Sequence, residues 1–495
     1  MAATIGITTD VSMQLDSDLR APAVAGSRPA KGLFSRLQHE LGWSLRIGGP
    51  LALGELGWMS TYIVDALMIG RLPHSALAIA ASSLGNTIYY AIVFFVIYLL
   101  NGMEAMVPQA IGRGDRPEGV RLLAQSFWIV LAGTPVVMVA TIASLWLLPI
   151  FGTPPEIVAE ARRYLVALIW STAPLLGYMA LRRYLQSINR VLLVSVSLIT
   201  AGIVNWAGDW AFLFGHLGLH PMGVAGSGWS TCVVRVWMLV LLVIGVAHAL
   251  RRDGLRFTAS MLRPDWSRLK PMLRIGLPSG IDFSADLLQA TVLGVMAARL
   301  GTTLLAANQV VLDLTAFLYM VPTGMSYAAV VRVGQGLGRS DFSQIRRSLT
   351  SVLLLSGGFT LLVAIPYVGF RHTWAAMYTN DPAVVTAATP IFLFCAAGLL
   401  SDAIAVSYAG ALTGLSDTRS PLIANLIGNW LFGIPLAWWL GVHAGYGLRG
   451  LWFGRAFGSV IAALIQLLAW NYHMQKAARS SEPAALYRMI PSPAK

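Results

Sequence analysis

The chain has 495 residues, of which 56% are hydrophobic and only 12% charged, with a net charge of +13. Soluble domains carry roughly 25% charged residues, and a soluble chain of this length would divide into domains with polar surfaces, so the composition excludes that class. The basic excess does not point to nucleic acid: Lys and Arg fall in the breaks between apolar runs rather than on one patch, which is how membrane proteins set their topology.

Residues 1–30 are rich in Ala, Ser and Asp and lack an apolar core with a small-residue cleavage site. Neither a cleavable signal peptide nor a fixed structure is expected there. Residues 32–45 predict a short interfacial amphipathic helix. Apolar runs of the length that crosses a bilayer, about 20 residues, then recur at 46–70, 81–109, 120–150, 157–185, 190–215, 223–249, 271–298, 303–333, 347–369, 383–413, 420–441 and 450–474. The predicted fold is an all-α integral membrane protein of twelve transmembrane helices in two six-helix, pseudo-symmetric halves. The expected divisions are a tail (1–45), an N-terminal lobe (46–249), a basic linker (250–270), a C-terminal lobe (271–474) and a second tail (475–495).

One set of breaks and span ends carries Arg20, Arg28, Lys31, Arg36 and Arg46, then Arg113/Arg116/Arg121, Arg182/Arg183/Arg190, the 250–275 loop, Arg332/Arg339/Arg346/Arg347, Arg419 and the C-terminal tail. The opposite set holds only Arg71, Arg162, Arg163, Arg299, Arg371 and Arg449. So uneven a split predicts an even number of spans with both termini cytoplasmic.

The halves repeat. Pro50 is followed by Arg71-Leu72 21 residues later, and Pro278 by Arg299-Leu300 at the same spacing. Gln-Ala-Ile-Gly-Arg-Gly-Asp (109–115) corresponds to Gln-Gly-Leu-Gly-Arg-Ser-Asp (335–341), Gly208-Asp209-Trp210 to Gly428-Asn429-Trp430, and Gly223-Val-Ala-Gly226 to Gly447-Leu-Arg-Gly450. Six spans per half make both halves enter the membrane from the same side. In transporters with such repeats the substrate site lies near the midplane between halves.

Leaving aside Glu160 at the edge of the fourth span, eight acids fall within the spans: Glu55, Asp65, Glu104, Asp209, Asp282, Asp286, Asp313 and Asp402. Each costs about 2.5–3.5 kcal/mol at a helix centre on insertion scales. Only Arg235 and Arg455 fall deep in spans as counter-charges, either pairing with carboxylates or tying helices together. Most of the acids therefore need protonation, a bound cation or a water-filled cavity. Glu104 lies near a span end and reads as reaching water; Glu55 and Asp282 stay open between structural and functional roles; Asp313 can bond between helices. Asp65, Asp209, Asp286 and Asp402 read as groups that handle cations or protons. Asn205 lies four residues before Asp209 and shares its helix face, so the two offer hard oxygen ligands together. Aromatic side chains such as Tyr89, Tyr90, Phe94, Phe283, Phe317, Tyr319 and Tyr408 can line a pocket for flat cations. Cys232 and Cys395, in apolar stretches, read as packing residues.

These segments resemble the multidrug and toxic compound extrusion (MATE) family. Val64-Asp65-Ala-Leu-Met-Ile-Gly70-Arg-Leu is similar to the end of its first helix. Gly276-Leu-Pro278 through Leu300-Gly301, with Ala306-Ala-Asn-Gln309 to Arg332-Val-Gly-Gln-Gly-Leu-Gly338, is similar to its helices seven and eight. Asp402 through Gly410-Ala-Leu-Thr-Gly414-Leu-Ser-Asp417-Thr-Arg is similar to helix ten and its loop, and Asn205 to Asp209 with Gly223-Val-Ala-Gly226 to helices five and six. The resemblance covers about residues 40–475. It implies export of diverse, often cationic, compounds by antiport against Na⁺ or H⁺, with no other cofactor and no enzymatic activity. It places Asp286 at an acidic helix-seven position that is often Glu, Asp402 at the helix-ten acid, and Asp65, Asn205 and Asp209 in the polar cluster of the N-terminal lobe. A Na⁺ site at Asp286 and Asp402 is expected, with Phe283, Asn308, Gln309, Tyr408 and Tyr90 lining the substrate cavity. The expected partners are small-molecule substrates and the lipid bilayer, in a monomer of the plasma (bacterial inner) membrane that serves either antibiotic resistance or secretion of a product. The alternative is a flippase for lipid-linked or polyanionic precursors, which would favour a basic cavity. There is no HExxH, no His cluster and no GxxxxGK[ST] motif, against a metalloenzyme or direct ATP drive.

Overall fold

The computed structural model describes residues 33–72, 75–218 and 220–479; the expected N-terminal tail at 1–30 and residues 480–495 of the C-terminal tail lie outside them. The chain divides into a short unit, Met1–His39, and one large unit, Glu40–Lys495. Every regular element among the described residues is helical. Among the described residues twelve helices are long: α1 (Leu33–Ile69), α2 (Ser75–Gly112), α3 (Arg116–Ile150), α4 (Pro155–Ser187), α5 (Val191–Phe212), α6 (Val224–Arg252), α7 (Trp266–Arg299), α8 (Thr302–Gly338), α9 (Phe342–Gly369), α10 (Ile391–Gly414), α11 (Arg419–His443) and α12 (Leu448–Arg479). Eleven are both long and apolar enough to cross a membrane. The other, α1, has the length at 37 residues, but Glu40, Arg46, Glu55 and Asp65 lower its mean hydropathy.

The large unit inverts the soluble pattern. Leu131, Val139, Trp146, Ile203, Leu362 and Ile365 are exposed, whereas Glu104, Asn205, Asp209 and Arg235 are almost wholly buried. A lipid solvent dictates that arrangement, because it accommodates apolar groups at little cost and polar ones only at a high cost.

Two local expectations are corrected, and one span departs from α-helical geometry. Residues from Leu33 do not form a separate interfacial helix; they run unbroken into the first span. Gly48-Gly49-Pro50 lies at the junction without interrupting the helix; a membrane helix tolerates such a proline where neighbours bond its backbone, and here the Pro50 carbonyl accepts from Ser195 Oγ at 2.7 Å. The tenth span, expected over 383–413, is split into Pro382–Ala388 and Ile391–Gly414, because Pro390 lacks the N–H that would continue the ladder. A helix at Arg371–Tyr378 precedes it. Finally, α11 is π-helical over Leu426–Gly433 and again over Trp439–His443. Such widened turns gather at functional positions, and this one carries Asn429.

The repeated motif explains how the halves meet. Gly112 at the end of α2 lies against Gly338 at the end of α8: a Cβ on either would overlap the carbonyl of Gln335 or of Gln109. The two glutamines act reciprocally. Gln109 Nε2 donates to the Gly414 carbonyl at 2.9 Å and to Ser416 Oγ at 2.8 Å, beyond α10. Gln335 Nε2 donates to the Ser187 carbonyl at 3.2 Å, at the end of α4. Asp115 and Asp341 close the motif by capping α3 and α9, accepting from Glu118 N at 3.0 Å and Gln344 N at 2.8 Å. The Ser416 loop is itself held by Asp417, which bonds His473 and Ser420; burial raises its carboxyl, but these bonds outweigh burial and leave it below the usual carboxylate range. The two halves therefore touch, backbone to backbone, at the Arg-rich face. Gly338→Leu is expected to wedge this contact apart. A cysteine introduced at position 416 should then react with a membrane-impermeant maleimide about tenfold or more faster than in the parent, as local opening governs access; an unchanged rate would show that the contact does not close this face.

Candidate functional site

Two chambers lie inside the bundle. The first, about 480 Å³, is bounded mainly by α1, α2, α4, α5 and α6. The second, about 560 Å³, is bounded mainly by α7, α8, α10, α11 and α12. Each combines aromatic side chains with a few converging charged groups, as ligand sites do.

The charges sort into pairs. In the first chamber Glu55 on α1 forms an ion pair with Arg182 on α4, and the Arg182 guanidinium also lies 5.8 Å from the Tyr327 ring centre. In the second, Glu104 on α2 pairs with Arg183 on α4, and Asp402 on α10 pairs with Arg455 on α12 at 3.0 Å. Asp402 also accepts from Ser459 Oγ at 2.5 Å. Arg182 and Arg183, which the sequence assigned to the basic face, are thus buried partners of acids. Glu104 is 2% exposed and does not reach water.

Removing these pairs leaves five span acids with no ion-pair partner among the described residues: Asp313 on α8, and four that lie two to each half. In the N-terminal half they are Asp65 and Asp209, which bracket one amide. Asn205 Nδ2 donates to Asp65 Oδ1 at 2.5 Å and to Asp209 Oδ2 at 3.3 Å. The other Asp209 oxygen is buried with no protein partner. In the C-terminal half they are Asp282 and Asp286, one turn apart on α7, which also bracket one amide. Asn425 Nδ2 donates to Asp282 Oδ1 at 2.8 Å and to Asp286 Oδ1 at 2.7 Å. Asn429 follows at i+4, donates to Asn425 Oδ1 at 2.9 Å, and leaves its own Oδ1 buried and unpartnered. The repeat is visible in the chemistry: Asn205 and Asn425 are equivalent positions, as are Asp209 and Asn429.

Each cluster can take up a proton between two carboxylates, or a hard cation through carboxylate and amide oxygens. No group of three or more His, Cys, Asp or Glu side chains gathers among the described residues as a metal cage. The Na⁺ site expected at Asp286 and Asp402 is affected by Arg455. Both acids line the second chamber, but Asp402 already faces a cation, and the oxygens nearest Asp286 are those of Asp282 and the Asn425–Asn429 pair.

Of the expected cavity residues, Tyr90 lines the first chamber and Phe283 lines both. Asn308 lines a smaller recess of about 190 Å³ beside Asp402 and Arg455, with its Oδ1 bonded to Trp452 Nε1 at 3.0 Å. Gln309 and Tyr408 line none of these spaces. Gln309 is exposed and donates to Asp313 at 2.8 Å within its own helix; among the described residues Asp313 makes no hydrogen bond between helices. Tyr408 packs against the central apolar cluster. Among the described residues Arg235 forms no ion pair: it donates to the Tyr89 hydroxyl at 2.8 Å, to the Tyr90 hydroxyl at 3.2 Å and to Ser171. Cys232 and Cys395 are free and buried. Sequence reasoning missed Asn425 and Asn429 altogether, although the match of Gly208-Asp209-Trp210 to Gly428-Asn429-Trp430 carries Asn205 onto Asn425.

The chain matches the MatE family model twice, at residues 50–211 and 278–439. The two matches begin at Pro50 and Pro278, the same residues that open the internal repeat. The chain is 31% identical over 459 residues to the "Multidrug resistance protein PmpM" of Pseudomonas aeruginosa, covering 90% of this chain and 93% of that protein. It is 29% identical over 453 residues to the "Probable multidrug resistance protein NorM" of Bradyrhizobium diazoefficiens, covering 90% and 96%. A eukaryotic MATE transporter structure superposes over 92% of this chain and 99% of its own with a TM-score of 0.79 at 18% identity. A Vibrio cholerae MATE transporter does so over 91% and 99% with a TM-score of 0.81 at 20% identity.

Proposed function

Because the chain belongs to the MatE family of membrane transporters, we propose that it is a secondary active exporter which moves organic, chiefly cationic, compounds out of the cell in exchange for Na⁺ or H⁺. The observation that carries this reading is the charge pattern of the chambers. Each half sets two carboxylates without an ion-pair partner around one asparagine amide, beside aromatic walls that suit a flat cation. A coupling ion and a substrate cation can occupy such sites only at each other's expense, and that exclusion is the basis of antiport. Closure of the halves at the Arg-rich face by Gly112 and Gly338 supports alternating access about that contact. The Arg excess at that face supports a cytoplasmic orientation for it and for both termini. With curated relatives from bacteria, the inner membrane is the proposed location and the monomer the proposed unit. A polyanion flippase finds less support: three of the chamber arginines, Arg182, Arg183 and Arg455, are neutralised by carboxylates, and Arg235 is enclosed by hydroxyls.

The test uses everted vesicles that have accumulated a fluorescent organic cation under an imposed gradient. Release on a Na⁺ pulse at fixed pH identifies Na⁺ antiport; release only when ΔpH collapses identifies proton antiport. No accumulation under either gradient would contradict export of organic cations.

A further inference from the structure

Phe283 stands where the two chambers meet. Its ring stacks on Tyr98, with centroids 4.5 Å apart and 17° between the planes, and tilts against Phe94 at 4.9 Å. Tyr98 and Phe94 belong to α2 in the first half and Phe283 to α7 in the second, so the ring packs across the contact between the halves. Tyr98, Arg183, Phe283, Tyr319, Thr323 and Tyr327 line both chambers; they are a shared wall. Phe283 also follows Asp282 directly and lies three residues before Asp286, so the ring and the acid pair that accepts from Asn425 ride on the same turn of α7. At about 480 and about 560 Å³, each chamber has by itself the volume of a ligand site.

We propose that Phe283 is a partition that determines substrate shape: it stops one elongated molecule from engaging the acid pairs of both halves, so compact cations seated in a single chamber are accepted and long linear dications are not. The proposal rests on the export reading above and adds the residue that sets its selectivity. The Phe283 ring gives a compact aromatic cation a stacking face, and the same ring blocks the route by which a dication would place one charged end in each chamber. Removing it therefore moves the two ligand shapes in opposite directions, a result that loss of packing alone would not produce.

The experiment is calorimetric titration of the full-length protein in lipid nanodiscs with tetraphenylphosphonium, a compact aromatic cation, and decamethonium, a linear bis-quaternary alkane. For Phe283→Ala the expected result is tetraphenylphosphonium weakened about threefold, as for a lost aromatic contact, and decamethonium tightened about tenfold or more as its second charge finds a carboxylate. Phe283→Trp, which keeps the wall, retains the parent's order of affinities. Phe283→Leu decides by the same criterion if the alanine variant does not fold, as judged by its thermal transition. Parallel weakening of both ligands, or no change in either, overturns the partition. A parent protein that binds neither cation overturns the export reading and this proposal with it, whereas binding of the compact cation with parallel responses overturns the partition alone.

Discussion

Asp286→Asn is expected to bring export down to the level of vesicles without the protein while leaving the fold in place. The structure gives the reason for both halves of that expectation. The carboxyl of Asp286 accepts from Asn425 Nδ2 at 2.7 Å, and an asparagine side-chain oxygen can accept the same bond, so the local packing survives. What is lost is the charge. An amide neither takes up a proton nor balances a cation, and with Asp402 already engaged by Arg455 only Asp282 remains without an ion-pair partner in that chamber. Substitution at Asp402 behaves differently. Asp402→Asn leaves the Arg455 guanidinium without its carboxylate, so it lowers thermal stability as well as export. Measuring substrate accumulation and the unfolding midpoint side by side separates the two: inactive and stable for Asp286→Asn, inactive and less stable for Asp402→Asn. Full export by Asp286→Asn would remove the second chamber from the coupling mechanism.

Arg183→Met is expected to have the largest effect on stability. Arg183 and Glu104 form a pair whose side chains are 8% and 2% exposed, and Arg183 also donates to the Ile97 carbonyl at 3.2 Å. Breaking such a pair leaves one buried charge unanswered and costs about 3–5 kcal/mol, whereas replacing both partners by apolar groups of similar size is often neutral. The single variant should therefore unfold at markedly lower temperature, and Glu104→Leu combined with Arg183→Met should regain most of the loss. A double variant as unstable as the single one would mean that Arg183 stabilises the bundle through Ile97 and the surrounding packing rather than through Glu104.

The spans were legible because apolar runs and their basic breaks report the bilayer directly. The twelve long helices among the described residues keep the expected order, and the repeat residues Pro50 and Pro278 mark the same starts as the family matches. Side-chain direction was legible only where helical phase was considered. Asn308 and Gln309 are adjacent and so point about 100° apart on a helix of 3.6 residues per turn; α8 turns Asn308, Leu312 and Tyr319 toward the second half's cavities and Gln309 with Asp313 away from them. Tyr408 fails for the same reason, since α10 presents Asp402, Ala405, Val406 and Ala409 to the second chamber. Arg182 and Arg183 fall inside the predicted span 157–185, yet charge counting placed them at the basic face, and their pairing with Glu55 and Glu104 depends on contacts 127 and 79 residues distant in sequence. The stacking of Phe283 on α2 is likewise tertiary, and no local pattern announces it.

The central claim is that coupling ion and substrate exclude one another at the two amide-bridged acid pairs. It is tested most directly by titrating tetraphenylphosphonium into the full-length protein in nanodiscs over a range of Na⁺ concentration at fixed pH, and then over a range of pH without Na⁺. The account predicts that one of the two series raises the apparent Kd about tenfold or more, within the usual range of coupling between sites, and that Asp286→Asn or Asp65→Asn flattens that rise. An affinity that stays constant across both series, in a protein that binds the cation, would contradict it.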